Sequence, residues 1–367
     1  MVTISLCMIV RNEEKSLPRC LSSVASLVDE IIIVDTGSTD TTKEIALSFG
    51  AVIYDFEWID NFSAARNFAF SKATQEYIFW LDADDYLKEE DQILFEKLKA
   101  ILPAHINSVS MQYNLAFDAE GNVTVSLRRN RLVRRSCNFQ WIGPVHEYLE
   151  VSGPIFSSDV CVTHEKDKEY TDRNLRIYQK RVAEGEVFSA RDQYYYANEL
   201  RDHALNEEAC KYYELFLEGG LGWIEDNFQA CLKLAECRER LGDKQGAFAA
   251  LCRTLQYDKP RSEFCCRLGA LLLEKGQLLP AIYWYELAIQ LPRDNDSMGL
   301  KNEIFYTWLP HLQLALCYDR LGQHELANHH NETALSFHPS HPSMLYNRTY
   351  FKNLLGDKYV AVQDKHS

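Results

Sequence analysis

Apolar positions along the first 165 residues or so fall in short unbroken runs, and the runs end at clusters of polar residues. Val2–Val10, Glu30–Asp35, Ala51–Phe56, Glu76–Leu81, Ser108–Phe117 and Val160–His164 read as strands. Between them Glu14–Leu27, Thr39–Phe49 and Ser63–Ala73 read as helices, with Ser38 or Thr39 placed to cap the second. Strands alternating with helices predict an α/β domain with a mostly parallel sheet and helices on both faces. Ligands of such sheets lie at the carboxyl ends of the strands. Polar residues gather at those ends, just where Val10, Val34 and Leu81 stop.

After about residue 170 the strand pattern disappears, and from Arg191 the spacing is that of helical hairpins. A small residue followed twelve positions later by Ala recurs four times: Ala197/Ala209, Ala235/Ala247, Gly269/Ala281 and Ala315/Ala327. Gly242, Gly276 and Gly322 each sit five before the second Ala, where a glycine ends one helix and starts the return. The units are spaced by 38, 34 and 46 residues, which resembles the tetratricopeptide repeat with its period of ~34. The last interval carries about twelve extra residues, near Pro292 to Phe305. The expected organisation is a catalytic domain at 1–170, a helical linker at 171–190, repeats at 191–356 and a tail at 357–367.

The chain has 367 residues, 46% of them hydrophobic and 25% charged, enough to bury a core in each of two domains. Its net charge of −14 argues against wrapping nucleic acid or coating an anionic membrane. No apolar run approaches the ~18 residues of a membrane span, and the first ten residues lack the basic flank of a signal peptide. A cytoplasmic protein is expected. Eleven cysteines without a CxxC pair read as small buried hydrophobes in a reducing compartment.

Three strand ends carry the chemistry. The first delivers Val10-Arg11-Asn12-Glu13, the second Val34-Asp35-Thr36-Gly37-Ser38-Thr39-Asp40, the third Leu81-Asp82-Ala83-Asp84-Asp85. Three carboxylates in four residues repel one another, and a divalent cation offsets that best. Asp82 and Asp84, two apart, share a side of an extended chain and suit Mg²⁺ or Mn²⁺. Phosphotransfer enzymes with a nucleophilic Asp also use Asp-x-Asp after a strand. They carry Thr or Val where Tyr86 stands here.

These segments, with Phe62-Ser63-Ala64-Ala65-Arg66-Asn67, resemble a glycosyltransferase of family 2 with the nucleotide-sugar fold called GT-A. The nearest subgroup is the bacterial one with helical repeats after the catalytic domain, which includes the S-glycosyltransferases of sublancin-type peptides. The resemblance implies a UDP-sugar donor such as UDP-glucose or UDP-N-acetylglucosamine, with Asp35 on the uracil and Arg11 to Glu13 along base and ribose. It implies that Arg66 neutralises the diphosphate, that Asp82 touches ribose or metal, and that Asp84 is the main metal ligand. Val10, Gly37, Ser38, Asn67 and Ala83 complete the expected donor-binding set. His164 is carried over as a third metal ligand beside Asp82 and Asp84.

The segment Phe139–Tyr148, with Trp141, Gly143-Pro144 and His146-Glu147, also matches the subgroup. An inverting transfer needs a base for the acceptor's proton. Glu147 is the first choice and His146 the second; on a strand they would face opposite ways. Trp141 is expected to stack on a sugar or acceptor ring. Five of the eight residues at 128–135 are Arg; Arg128, Arg131 and Arg134 either gather on phosphate or an acidic acceptor or form a solvated face. His329, His330, His338 and His341 read as surface.

The expectation is thus a metal-dependent, inverting glycosyltransferase whose repeats help hold a peptide or protein acceptor. The alternatives are a polysaccharide or lipopolysaccharide-core acceptor, or a non-catalytic repeat scaffold on a degenerate nucleotide-sugar fold. The repeats could equally serve homodimer formation.

Overall fold

The computed structural model describes residues 1–165, 171–292 and 298–361. The chain divides into two compact units, the first made of Met1–Ala116 with Ser126–Val187, the second of Phe117–Val125 with Phe188–Ser367. The expected domain end at 166–170 and the tail from 362 onward lie outside the described residues, as does 293–297 of the expected insert.

The first unit runs β1 (Ile4–Val10), α1 (Leu17–Val24), β2 (Glu30–Asp35), α2 (Thr42–Ser48), β3 (Val52–Asp55), α3 (Phe62–Lys72), β4 (Tyr77–Trp80), β5 (Asp85–Tyr86) and α4 (Glu89–Ile101). It continues with β6 (Ser108–Phe117), β7 (Val123–Arg134), β8 (Gln140–Ile142), β9 (Tyr148–Glu150), β10 (Ile155–His164) and α5 (Arg173–Ala183). The sheet order is β3-β2-β1-β4-β7-β6-β10-β5. β1 pairs in parallel with β2 and with β4, so successive crossovers leave β1 in opposite directions and open a crevice at its carboxyl end. β4–β7 and β10–β5 are antiparallel, and β6–β10 is parallel. This is the mixed, mostly parallel α/β sheet that the runs predict.

The two-residue period of the strands sorts the core. Leu6, Met8 and Val10 of β1 and Ile31 and Ile33 of β2 pack with Leu17, Leu21 and Val24 of α1 and Phe95 and Leu98 of α4. The intervening Cys7, Ile32 and Val34 pack on the other face with Ala69 and Ala73 near α3. β2 and β6 have the expected bounds, β10 starts earlier than the expected Val160, and α1 begins at Leu17, with Pro18 in its first turn, rather than at Glu14.

The second unit is helical: α6 (Ala190–Asp202), α7 (Asn206–Gly219), α8 (Ile224–Arg240), α9 (Lys244–Arg253), α10 (Ser262–Glu274), α11 (Leu278–Gln290), α12 (Trp308–Arg320), α13 (His324–Phe337) and α14 (Pro342–Leu355). Consecutive pairs form tetratricopeptide-like hairpins, and α6 touches α8 as α10 touches α12, so first helices share a face. Each predicted small residue is buried at a helix crossing. Gly242, Gly276 and Gly322 have φ of 81°, 73° and 74° in the turns, a region favouring glycine. His330 departs from its surface reading: it is half-buried, with Nδ1 3.0 Å from His311 Nδ1. Among the described residues no helix is long and apolar enough to cross a membrane.

Candidate active site

The ends of β1, β2 and β4 come together, with Val10 paired to Asp35. The loops after β1 and β2 are laced by side chains. Asn12 has φ 53°, a left-handed conformation asparagine tolerates. Its Oδ1 accepts from the Thr39 N–H at 2.8 Å, and its own N–H donates to Ser38 Oγ at 2.9 Å. The Glu13 N–H donates to Thr42 Oγ1 at 2.7 Å. Arg11 is exposed beside them.

Asp35 is 1% exposed. Its Oδ1 accepts from the N–H groups of Gly37 at 3.0 Å and Ser38 at 2.9 Å. Gly37 can close this turn because its φ is 102°. The other oxygen, Oδ2, is buried with no hydrogen-bond partner. Leaving a buried acceptor unmade costs about 1–3 kcal/mol, so this atom is a ready seat for an outside donor.

Beyond β4, Leu81 and Ala83 point into the protein while Asp82 and Asp84 stay partly open. Asp82 Oδ1 accepts from Arg66 Nη2 at 2.6 Å, and Arg66 Nε donates to Glu147 Oε1 at 2.6 Å. The guanidinium is nearly buried, 5.2 Å from the Trp80 ring centroid and 4.8 Å from that of Trp141. Burial opposes its charge, but Asp82 and Glu147 outweigh burial and raise its pKa above the ordinary range. Burial likewise pushes Asp82 upward, yet Arg66 and Arg131 pull it down to about 2. Arg66, expected on the diphosphate, has its Nε and Nη2 on these two carboxylates.

His164, at the end of β10, brings Nδ1 to 3.5 Å from Asp84 Oδ1 and 3.4 Å from Asp85 Oδ1. Burial lowers the imidazole's pKa, but hydrogen bonds to Asp84 and Asp85 raise it to about 10. Among the described residues, Asp84, Asp85 and His164 are the group whose metal-ligating atoms lie within 4.8 Å of one another. Asp84 and His164 remain partly open, offering a carboxylate oxygen and an imidazole nitrogen, a donor set that fits Mn²⁺. Asp85 is engaged elsewhere. Its Oδ2 lies 3.0 Å from Arg131 Nη1 and accepts from the Asp82 N–H at 3.1 Å, while Oδ1 accepts from Tyr113 Oη at 2.8 Å.

Sequence reasoning missed this Asp85–Arg131–Tyr113 cluster. Arg131 is fully buried, its Cζ 3.9 Å from the Trp80 ring centroid and 4.3 Å from that of Tyr113. Nothing in a three-residue arginine spacing separates such a buried cation from its neighbours. Arg128 donates to the Ser110 and Ser158 carbonyls and Arg134 to the Ile106 carbonyl. The three arginines therefore neither gather on a ligand site nor form a solvated face.

Four more of the expected site residues lie in the hairpin after β7 and on α3. Trp141 is buried, edge-on to Trp80 at 4.7 Å and Phe70 at 5.8 Å, so no ring face is open for a sugar. Asn67 spends its amide on the Trp141 backbone, Nδ2 donating to the carbonyl at 3.0 Å and Oδ1 accepting from the N–H at 2.8 Å. It fastens β8 to α3. His146 and Glu147 are not on a strand: the segment is a hairpin, β8 to β9, turning at Gly143 (φ 95°) and His146 (φ 50°). The Gly143-Pro144 pair is the turn signal that could have revealed it. The turn aims Glu147 at Arg66 and lays the His146 ring parallel to that of Tyr178, 6.4 Å between centroids.

A family model, that of glycosyl transferase family 2, matches residues 5–213. A TPR repeat-containing protein of Synechococcus elongatus is 30% identical over 331 residues, 88% of this chain and 75% of that protein. The SPbeta prophage-derived glycosyltransferase SunS of Bacillus subtilis is 38% identical over 102 residues, 27% of this chain and 24% of that protein. Among solved structures, S. aureus TarS in complex with UDP-GlcNAc aligns with 68% of this chain and 90% of that one, at 15% identity and a TM-score of 0.40.

Proposed function

The chain belongs to glycosyl transferase family 2, and from that premise we propose a metal-dependent, inverting transfer of a sugar from a UDP-sugar to a peptide or protein acceptor. The observation that carries the reading is the convergence, beyond the carboxyl ends of β4 and β10, of Asp84 and His164, 3.5 Å apart, with the chain Asp82–Arg66–Glu147. A buried, unpartnered Asp35 Oδ2 nearby in the same crevice supports a seat for the imide N–H of uracil. Arg11, Asn12 and Glu13 border that seat at the end of β1.

Asp84 and His164 would hold Mg²⁺ or Mn²⁺, with Asp82 adjacent. The bound ion would offset the charge of the departing diphosphate. The acceptor heteroatom attacks the anomeric carbon as the bond to the diphosphate breaks. Glu147 takes the acceptor's proton. Arg66 is a positioning residue: its fork fixes Glu147 and Asp82 relative to one another. His146, at a left-handed position with its ring parallel to that of Tyr178, is the second candidate for the base. The helical repeats supply a surface for the acceptor chain.

The test is hydrolysis of a panel of nucleotide sugars with Mg²⁺, Mn²⁺ or EDTA, following the nucleotide released, with Asp84→Asn as the blank. UDP release that needs metal and Asp84 is expected. Release of pyrophosphate or phosphate, or hydrolysis indifferent to Asp84, overturns the proposal.

A further inference from the structure

The face shared by α10 and α12 contains a cavity of about 490 Å³, within the range of about 300–1,000 Å³ usual for ligand pockets. Its floor is apolar: Ala270 and Leu273 of α10, Leu309 of α12 and Phe305. Arg320, at the last turn of α12, lines the rim. The other charged lining residues are already paired, Arg267 with Glu263 at 3.0 Å and Glu274 with Lys244 at 3.1 Å. Arg320 is exposed, and among the described residues no carboxylate pairs with it.

A second feature sits at the floor. Tyr285 of α11 lines the cavity, and its Oη is buried with no hydrogen-bond partner. It reaches there because α10 carries Gly269 at the crossing: a β-carbon would stand 2.8 Å from Tyr285 Cζ. A tyrosine hydroxyl hidden from water normally has a partner. An apolar hollow, an orphaned hydroxyl and an unpaired cation together describe the complement of one chemistry.

We infer that this cavity binds an extended peptide segment in which apolar side chains are followed by acidic ones. The apolar side chain fills the hollow over Ala270 and Leu273, a backbone carbonyl accepts from Tyr285 Oη, and the acidic side chain pairs with Arg320. This rests on the reading that the repeats hold a peptide acceptor, and it names the sequence class they select. The tests can fail separately, because peptide binding is read without sugar transfer.

The experiment uses the full chain and fluorescence anisotropy with three labelled nonapeptides, otherwise Gly and Ser: one with two Leu then two Glu, one with Leu then Gln, one with Ser then Glu. The Leu–Glu peptide should bind saturably and at least about tenfold more tightly than either control, each tenfold being 1.4 kcal/mol. Arg320→Glu should remove the advantage of Glu over Gln while leaving the Leu–Gln affinity unchanged. Ala270→Phe, which fills the hollow from an exposed helix position, should weaken both Leu peptides. Equal affinities for the three peptides, no saturation by about 1 mM, or insensitivity to Arg320→Glu overturns the inference. If binding fails while UDP release persists, the inference falls and the glycosyltransferase reading stands.

Discussion

Replacing Arg131 with Met should be among the most damaging single changes to the first unit. Arg131 and Asp85 are both fully buried, with Nη1 and Oδ2 3.0 Å apart. Met keeps much of the apolar volume between Trp80 and Tyr113 but strands a buried carboxylate. Breaking such a pair by removing one partner costs about 3–5 kcal/mol. The Asp82 N–H and Tyr113 Oη still solvate Asp85, which places the expected loss near the lower end, about 3 kcal/mol. Arg131→Met with Asp85→Asn removes the charge and should recover about half of it. Urea denaturation followed by tryptophan fluorescence reads the effect, since Trp80 packs on the guanidinium. The cycle also has a functional arm: Asp85 holds the Asp82 N–H, so Arg131→Met should lower kcat for donor hydrolysis even in urea-free buffer where the protein is folded. A loss under about 1 kcal/mol, or a double variant as unstable as the sum of the singles, would refute the idea that this pair anchors the acidic loop.

Other outcomes follow from the same geometry. Arg66→Lys keeps the charge but not the fork that reaches Asp82 and Glu147, so kcat should fall by about 100-fold, with little change in donor KM, in steady-state kinetics. Asn67→Ala removes two hydrogen bonds to the Trp141 backbone and should destabilise by about 1–3 kcal/mol, measured by chemical denaturation. Burial pushes His311 and His330 down to about 4 from an ordinary value of 6.5. The unfolded chain therefore binds more protons between those limits, so stability is full above about pH 6.5 and is lost progressively as pH falls toward 4. Melting temperatures across that range should show the loss, and His330→Phe should flatten it.

The strand ends were legible because a buried strand that breaks into polar residues leaves an unmistakable edge: Val10, Val34 and Leu81 mark it, and Asp84 and His164 do converge beyond them. The helical hairpins were legible because close crossings demand small residues at fixed intervals, as at Ala197 and Ala209. What could not be read was partner choice. Arg66 and Arg131 are the same residue type as Arg128, and only the folded sheet decides that one grips two carboxylates, one is sealed between rings and one donates to carbonyls. Trp141 looked like a stacking platform for the same reason: aromatic surface suits a core and a ligand equally, and burial settles which.

The amide of Asn67 takes the place a neighbouring strand would occupy beside Trp141. The turn bearing Glu147 is thereby tied to the helix that bears the guanidinium by side chains at positions 66 and 67 and by the Phe62 N–H on the Pro144 carbonyl, instead of by a ladder. Helix and turn must travel as one body whenever the crevice breathes. Shortening or exchanging the Asn67 amide would loosen that tie while leaving the Arg66–Glu147 pair in place, making residue 67 a place where selection could trade rigidity for motion.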